Sequence, residues 1–249
     1  MIDRPLSRHG RNIPVSVARR LIIDSMWASR KVPIIHVIRR VAIPNLVAVR
    51  RKLVERPAWP AIFGKAFAMV AAETPQLRRA FFRWPWPRFH EFPESTIAIA
   101  IDTQALGNTG VMTVRIRKPE AVPAKTLSAD LRRATADPLA SKSVRLMVKT
   151  SRYPFFIRRL LWWACVNIPR MRRHAIGTFG LTSVAHLGAT LGRIISPASF
   201  VLTYGPLQDD GSLEVGLSFD HRIIDGALAA RALARLEEIL NSSILAELR

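Results

Sequence analysis

The segment SFDHRIIDG, residues 218–226, holds the residues whose types and spacing could carry out chemistry. His221 stands after a strand-like apolar run and before a helical pattern. An unperturbed histidine has a pKa of about 6.5, so its side chain can take up and return a proton near neutral pH. A hydroxyl or thiol attacks a carbonyl poorly until a base removes its proton. The segment therefore predicts acid–base chemistry at His221 of the kind that acyl transfer requires.

Two further residues of this segment could support the histidine. Asp225, four residues after His221, could pair with an arginine or order the loop that holds the ring. Gly226 could let the backbone turn into the last helix without a Cβ clash. A simpler interpretation is also open, because a histidine and an aspartate at this spacing are common by chance. In that interpretation Asp225 only caps the helix, and the histidine is only hydrogen-bonded.

The charge of the chain limits its partners. There are 38 Lys and Arg against 18 Asp and Glu, a formal net charge of +20. Such a charge attracts polyanions such as nucleic acid, anionic lipid, an acidic protein or a phosphorylated cofactor. The basic pairs could equally decorate solvated helix faces. No recognition helix or stacking motif accompanies the charge, which argues against nucleic acid.

Cysteine use and hydropathy exclude other classes. The single cysteine, Cys165, permits no internal disulfide, and no histidine has the spacing of a metal ligand, so no metal site is predicted. The most apolar run, 153–169, is broken by Arg158 and Arg159 and is too short to cross a membrane. The N-terminus has no apolar stretch typical of a secretory signal. We therefore expect a cytoplasmic protein, with contact to a membrane surface still open.

Helical and strand patterns interleave along the chain without a repeat or linker, and we predict a single domain, residues 1–249. Helices are predicted at 12–30, 46–54, 62–72, 126–135 (capped by Ser128), 155–166 and 225–240. Strands are predicted at 34–43, 96–102, 110–117, 178–184, 199–204 and 213–219, with a tight turn at 208–212. Three prolines in 81–93, FFRWPWPRFHEFP, favour a covering loop or a recognition surface. The order predicts an α/β or α+β two-layer fold, a mixed β-sheet covered by helices.

The sequence resembles a known family in several ordered segments. LEVGLSFDHRIIDGALAARALARLEEIL, residues 213–240, resembles the end of the catalytic domain of the 2-oxoacid dehydrogenase acyltransferases, which share the chloramphenicol acetyltransferase fold and an HxxxDG motif. Earlier matching segments are VARRL, VAIPNLVAVRRKL, KAFAMVAAETPQLRRAF, IAIAIDT and GTFGLTSVAHLGATLGRIISPASFVLTYG. The resemblance spans residues of about 12–240 and implies a chloramphenicol acetyltransferase-like fold.

The resemblance also implies roles for individual residues. His221 matches the general base, and Asp225 matches the residue that orders its loop. Thr182 falls where the family places a hydroxyl that stabilises the tetrahedral oxyanion, a contact worth about 3 kcal/mol in comparable sites. Ser183 takes that role if the strand register differs by one residue, and Arg20 is implied as a partner for Asp225. Ordinary strand hydroxyls and a surface arginine are the alternative interpretations.

Substrates and partners follow from the same resemblance. It implies coenzyme A as the acyl carrier, a dihydrolipoyl group as the acceptor, and a homotrimer with the active site between subunits. No lipoyl domain precedes the catalytic segment, so we expect a stand-alone acyltransferase with the lipoyl group supplied in trans by a lipoyl-bearing protein. Another thiol or hydroxyl acceptor also remains open. The competing hypothesis is a non-catalytic scaffold that keeps the fold and binds a polyanion or a membrane surface.

One segment departs from the family pattern. Residues 151–175 contain FFIRRLLWWACV followed by NIPRMRRH, where the family has a plainer polar connection. A tryptophan-bearing helix flanked by arginines could lie at a membrane interface, line an apolar acyl pocket or pack on a neighbouring subunit.

Overall fold

Helices and strands alternate along the chain in a computed structural model that describes residues 12–103 and 110–249. The helices are α1 Val17–Ser29, α2 Pro44–Lys52, α3 Trp59–Glu73, α4 Ala124–Ala136, α5 Lys142–Ser151, α6 Phe155–Asn167, α7 Pro169–Ala175, α8 Gly226–Ile239 and α9 Leu245–Leu248. The strands are β1 Ile34–Ala42, β2 Arg79–Phe82, β3 Arg88–Glu91, β4 Thr96–Thr103, β5 Gly110–Arg117, β6 Phe179–Thr182, β7 Phe200–Tyr204 and β8 Ser212–Asp220.

The main sheet of the described residues is mixed. Its strands lie in the order β1-β8-β7-β6-β4-β5. The central strands β4, β6 and β7 run parallel to one another, and the remaining pairs are antiparallel. A mixed sheet covered by helices confirms the predicted fold class. The parallel arrangement in the centre matters for function, because it decides at which end of the sheet each strand terminates.

One face of this sheet packs on helices α3 and α8. Alternate residues of β8, from Leu213 to Phe219, point into that core, as expected for a strand with one face on a helical layer. Helix α3 is almost entirely buried, and its Phe67 ring lies 4.9 Å from that of Phe179 on β6. A Cβ on Gly64 would come within 2.6 Å of Ile97 Cδ1, so glycine lets α3 approach β4 closely.

The opposite face is covered by α6, α7 and residues 188–198. Here the Ile194 N–H donates to Ser218 Oγ at 2.9 Å. The buried Arg172 of α7 donates to the Pro197 carbonyl at 2.8 Å and to Ser199 Oγ at 3.2 Å. Burial lowers the pKa of Arg172 to about 10, so the side chain remains charged at neutral pH and needs these acceptors.

Most of the predicted elements are confirmed, with some corrections. The structure adds α5, α7 and α9, which the patterns did not predict. Residues 81–93 are not a loop throughout, because β2 and β3 pair as a separate two-stranded sheet with Pro85 and Pro87 between them. The predicted cap at Ser128 is wrong, since its buried hydroxyl lies within α4 and accepts the Ala58 N–H at 2.8 Å. No helix of the described residues is long and apolar enough to span a bilayer.

Candidate active site

His221 is the first residue after β8. Its backbone N–H donates to the carbonyl of Pro33, just before β1, at 2.9 Å. Its Nδ1 lies 3.0 Å from the carbonyl oxygen of Ile224, in the same loop. A carbonyl can only accept, so Nδ1 carries the proton and Nε2 keeps a free lone pair. The exposed ring is therefore oriented with Nε2 available as a base.

An ion pair that the sequence analysis missed flanks the histidine on both sides. Asp220 is 3% exposed and accepts two hydrogen bonds from the Arg222 guanidinium, at 2.8 Å from Nε and 2.6 Å from Nη2. The Arg222 guanidinium also lies 4.3 Å from the ring centre of Phe81. A bidentate pair of this kind holds both side chains in one geometry. The signal was present in FDHR, where opposite charges stand on either side of His221.

Asp225 acts as a helix cap in the structure. Its Oδ1 accepts the Leu228 N–H at 2.8 Å, which places Asp225 at the N-cap of α8. Across residues 12–103 and 110–249, Asp225 forms no ion pair with Arg20, so the structure does not bring this predicted pair together. The steric reason predicted for Gly226 is wrong, because a Cβ there would meet no atom within 4 Å.

The two candidate oxyanion donors differ in their hydrogen bonds. Thr182 is the last residue of β6 and is half-buried, and its hydroxyl has no hydrogen-bond partner among the described residues. Ser183 donates from its hydroxyl to the Tyr204 carbonyl at 2.7 Å and accepts the Ala185 N–H at 3.1 Å. The Ser183 hydroxyl is thus committed to its own turn. Of the two, only Thr182 has a hydroxyl free to bind a ligand.

A cavity of about 750 Å³ opens beside Thr182. Its walls are mainly apolar and aromatic. Phe63 and Tyr204 stack with their ring centres 4.6 Å apart, and the guanidinium of Arg50 lies 4.5 Å from the ring centre of Trp59. Burial raises the pKa of Tyr204 to about 12, so its phenol stays neutral. A cavity with this lining suits an apolar chain that carries a few polar groups.

His221 and Thr182 lie at opposite ends of the sheet. Thr182 pairs with Thr203, and Thr203 pairs with Gly216. His221 is five residues beyond Gly216, about 17 Å along the strand, and two strand spacings add about 10 Å across the sheet. The two residues are therefore roughly 20 Å apart. One copy of the chain cannot bring both side chains to the same acyl carbonyl.

The described residues include no group of three or more His, Cys, Asp or Glu side chains that could hold a metal ion.

Comparison with known proteins identifies a family. The family model described as "2-oxoacid dehydrogenases acyltransferase (catalytic domain)" matches residues 7–144 and 189–247. The unmatched interval contains α6, α7 and β6, and therefore Thr182 and Ser183. No curated protein matches the chain in sequence.

Solved structures agree on the fold. The dihydrolipoamide acetyltransferase of Azotobacter vinelandii, studied for the catalytic roles of a serine, a histidine and an asparagine, has a TM-score of 0.69 at 19% identity, covering 98% of this chain and 100% of that one. The cubic core of a pyruvate dehydrogenase complex gives the same values. A chloramphenicol acetyltransferase has a TM-score of 0.51 at 14% identity, covering 94% and 99%. The fold is thus chloramphenicol acetyltransferase-like, as predicted.

Proposed function

The chain belongs to the 2-oxoacid dehydrogenase acyltransferase (catalytic domain) family, and on that premise we propose that it moves an acyl group between coenzyme A and a thiol or hydroxyl acceptor, with His221 as the general base. The observation that carries the proposal is the hydrogen bond from Nδ1 of His221 to the Ile224 carbonyl. That bond leaves the basic nitrogen of an oriented, exposed ring free to accept a proton. The single domain acts in the cytoplasm.

In the proposed reaction His221 acts first, as the base, and Thr182 then stabilises the intermediate that forms. Nε2 of His221 removes the proton of the attacking thiol or hydroxyl, and the resulting nucleophile adds to the thioester carbonyl. The tetrahedral oxyanion accepts a hydrogen bond from the Thr182 hydroxyl, which is strongest when the negative charge is fully formed. The intermediate then collapses, the carbon–sulfur bond of the thioester breaks, and the leaving thiolate takes the proton back from the imidazolium.

The site is completed by a second copy of the chain in this proposal. The separation of roughly 20 Å between His221 and Thr182 within one copy supports it. So does the likeness to a protein whose structure is the cubic core of a multienzyme complex. We infer a homotrimer, in which each site takes its histidine from one subunit and its threonine from the next.

Asp225 has a positioning role in the proposal, through the cap that it forms on α8. In the Azotobacter vinelandii protein, the asparagine investigated follows the histidine investigated by four positions. The spacing from His221 to Asp225 is the same. Because an amide oxygen can cap a helix as a carboxylate does, capping is a function that both side chains could share. Arg20 has no part in this arrangement.

The acceptor is proposed to be a dihydrolipoyl group supplied in trans by a lipoyl-bearing protein, since the family uses coenzyme A and lipoyl groups as substrates. The test is an assay of acetyl transfer from acetyl-CoA to dihydrolipoamide with purified protein. Turnover supports the lipoyl acceptor. Activity with other thiols or alcohols, and none with dihydrolipoamide, would contradict the lipoyl acceptor and leave acyl transfer standing.

The role of His221 is tested by His221→Ala. Loss of a general base lowers kcat by a factor of about 10² to 10⁴. His174→Ala is the matched control, because His174 is an exposed histidine of α7 outside the motif, and its substitution should leave kcat unchanged. Equal activity of the His221→Ala variant and the native protein would contradict the proposal. It would favour the competing function suggested by the net charge of +20, a non-catalytic polyanion-binding scaffold.

A further inference from the structure

Helix α6 presents an apolar stripe to solvent. Phe156, Leu160 and Trp163 are 70%, 65% and 40% exposed. They are spaced i, i+4 and i+7, so they lie along one side of the helix. No residue of α6 is buried, although most of the helix is apolar. An apolar stripe of this kind on a surface helix indicates a partner that covers it.

The turn between β2 and β3 extends the stripe. Trp84 and Trp86 are 59% and 65% exposed, and the Trp84 ring contacts that of Trp163 edge-on, with centres 5.8 Å apart. The contact between Trp84 and Trp163 therefore joins the turn to the stripe, and Trp86 is exposed in the same turn. We name this surface the aromatic patch, and its members are Trp84, Trp86, Phe156, Leu160 and Trp163.

Unpaired arginines stand next to the patch segments in the chain. Arg83 precedes Trp84, and Arg152 and Arg170 stand before and after α6; all three are exposed, and none of them forms an ion pair within the described part of the chain. The sequence contains no aspartate or glutamate from Pro138 to Gln208, an interval that includes all of α5, α6 and α7. The partner must therefore accept tryptophan and phenylalanine side chains and carry negative charge at the rim.

We propose that the aromatic patch docks on the surface of an anionic lipid bilayer, with α6 lying in the plane of the headgroups. Tryptophan favours this interface, because its ring is apolar and its N–H is polar. Helix α6 has 13 residues, about 20 Å in length, which is shorter than a hydrocarbon core of about 30 Å. It can lie on the bilayer without crossing it. The flanking arginines then meet the lipid phosphates.

A second copy related by a two-fold axis fits the same surface less well. Such a contact through the aromatic patch would bring Arg83, Arg152 and Arg170 of the two copies towards each other. Three of the five patch residues, Phe156, Leu160 and Trp163, lie in the interval that the family model does not match, and none of the five has a role in the proposed reaction. The docking inference stands independently of the proposed reaction.

The test is flotation of the purified full-length protein with lipid vesicles. One set consists of phosphatidylcholine alone, and the other contains roughly a third of phosphatidylglycerol as an anionic lipid. We expect the protein to float with the anionic vesicles and to remain behind with the neutral ones. Added salt should weaken binding without abolishing it, because the aromatic contacts are not screened. Absence of binding to anionic vesicles would overturn the proposal.

Two pairs of variants separate the aromatic patch from general charge attraction. Phe156→Ala should weaken vesicle binding about tenfold, whereas Val54→Ala, at an even more exposed apolar residue after α2, should not. Arg152→Glu should weaken binding at least about fivefold, whereas Arg51→Glu on α2 makes the same change in net charge away from the patch and should have little effect. Equal effects within either pair would contradict docking through the patch.

Two further measurements keep the result interpretable. Circular dichroism and acyl-transfer activity of Phe156→Ala should equal those of the native protein, because the side chain is exposed and has no role in the proposed reaction. Trp163→Ala provides a second variant. The mass in solution of the native protein and the variants tests whether a second copy of the chain covers the aromatic patch. A patch variant that dissociates the oligomer, with no vesicle binding by the native protein, would assign the surface to a second copy and overturn the membrane proposal.

Discussion

At the scale of single residues, the proton on Nδ1 of His221 is held by a backbone carbonyl, that of Ile224, and not by a carboxylate. A carbonyl orients the ring without adding a charge next to it. The two charged neighbours, Asp220 and Arg222, bind each other on either side of the histidine, where the loop leaves β8. In the proposed site the imidazole transfers the proton, and the ion pair fixes the backbone on either side of the histidine.

Asp225 gives the first prediction at this scale. Because its Oδ1 caps α8 at Leu228, Asp225→Ala should lower the free energy of unfolding by about 1 kcal/mol. Asp225→Asn should retain the cap, and with it nearly native stability and kcat. Chemical denaturation and acyl-transfer kinetics of the two variants measure this. A large loss of kcat in the asparagine variant, at native stability, would show that the carboxylate charge has a role beyond capping.

Thr182 and Ser183 give the second prediction at the scale of single residues. Removal of a donor to the oxyanion lowers kcat by a factor of about 10² to 10³, so Thr182→Ala should lose that much while Thr182→Ser keeps most of the activity. Ser183→Ala removes the hydrogen bond to the Tyr204 carbonyl and should lower stability more than kcat. Measurements of kcat, KM and the melting temperature for each variant distinguish a catalytic role from a structural one. Reversed effects would mean that Ser183 is the donor.

At the scale of elements, a buried ion pair holds α6 against α1. Asp24 is 1% exposed, and its Oδ2 accepts a hydrogen bond from Arg158 Nε at 2.7 Å. Arg159 lies over the Trp27 ring, with 4.4 Å to its centre. These contacts use the inner side of α6. They leave its apolar stripe pointing outwards, so the docking surface depends on this attachment.

The attachment predicts a large effect of one substitution. Asp24→Ala leaves Arg158 without its partner in a mostly buried position, which costs about 3–5 kcal/mol of unfolding free energy. Asp130→Ala, which removes an exposed pair with Arg133 in α4, should cost less than about 1 kcal/mol. Denaturant unfolding measures both, and hydrogen exchange should increase in α6 for the first variant only. Similar losses in the two variants would contradict a structural role for Asp24.

At the scale of the whole molecule, the strand order separates the two candidate catalytic residues. Strand β8 runs antiparallel to β7, and β7 runs parallel to β6, so His221 and Thr182 emerge at opposite ends of the sheet. A working site therefore needs residues from two copies, if both act on one substrate. The oligomer is in this sense part of the proposed catalytic machinery.

Subunit complementation tests that conclusion. His221→Ala and Thr182→Ala are each expected to have low activity, but co-expression should produce mixed trimers with some intact sites. With random mixing, about one quarter of the sites would combine an intact histidine with an intact threonine, and activity should recover to about that fraction. Differently tagged subunits establish that mixing occurs. No recovery in verified mixed trimers would mean that the two residues do not share a site across subunits.

Much of the fold was predictable from local patterns. The elements around His221 were predicted because alternating and helical spacing reflect burial on one side of β8 and α8. The pairing of β2 with β3 was not predicted, because prolines in a short stretch hide strand residues that flank them. Helix α5 was missed as well, since its buried side, with Val144 and Val148, becomes visible only against the neighbouring elements.

The sequence by itself determined the chemistry available to this protein. His221 and the helix cap at Asp225 are four residues apart, so short-range hydrogen bonds within one segment are enough to arrange them. The sequence also determined the family, through segments spread along most of the chain. Only the tertiary structure decided where those groups lie. The separation of His221 from Thr182 and the exposure of the aromatic patch depend on strand order and long-range packing, which bring together residues far apart in the chain.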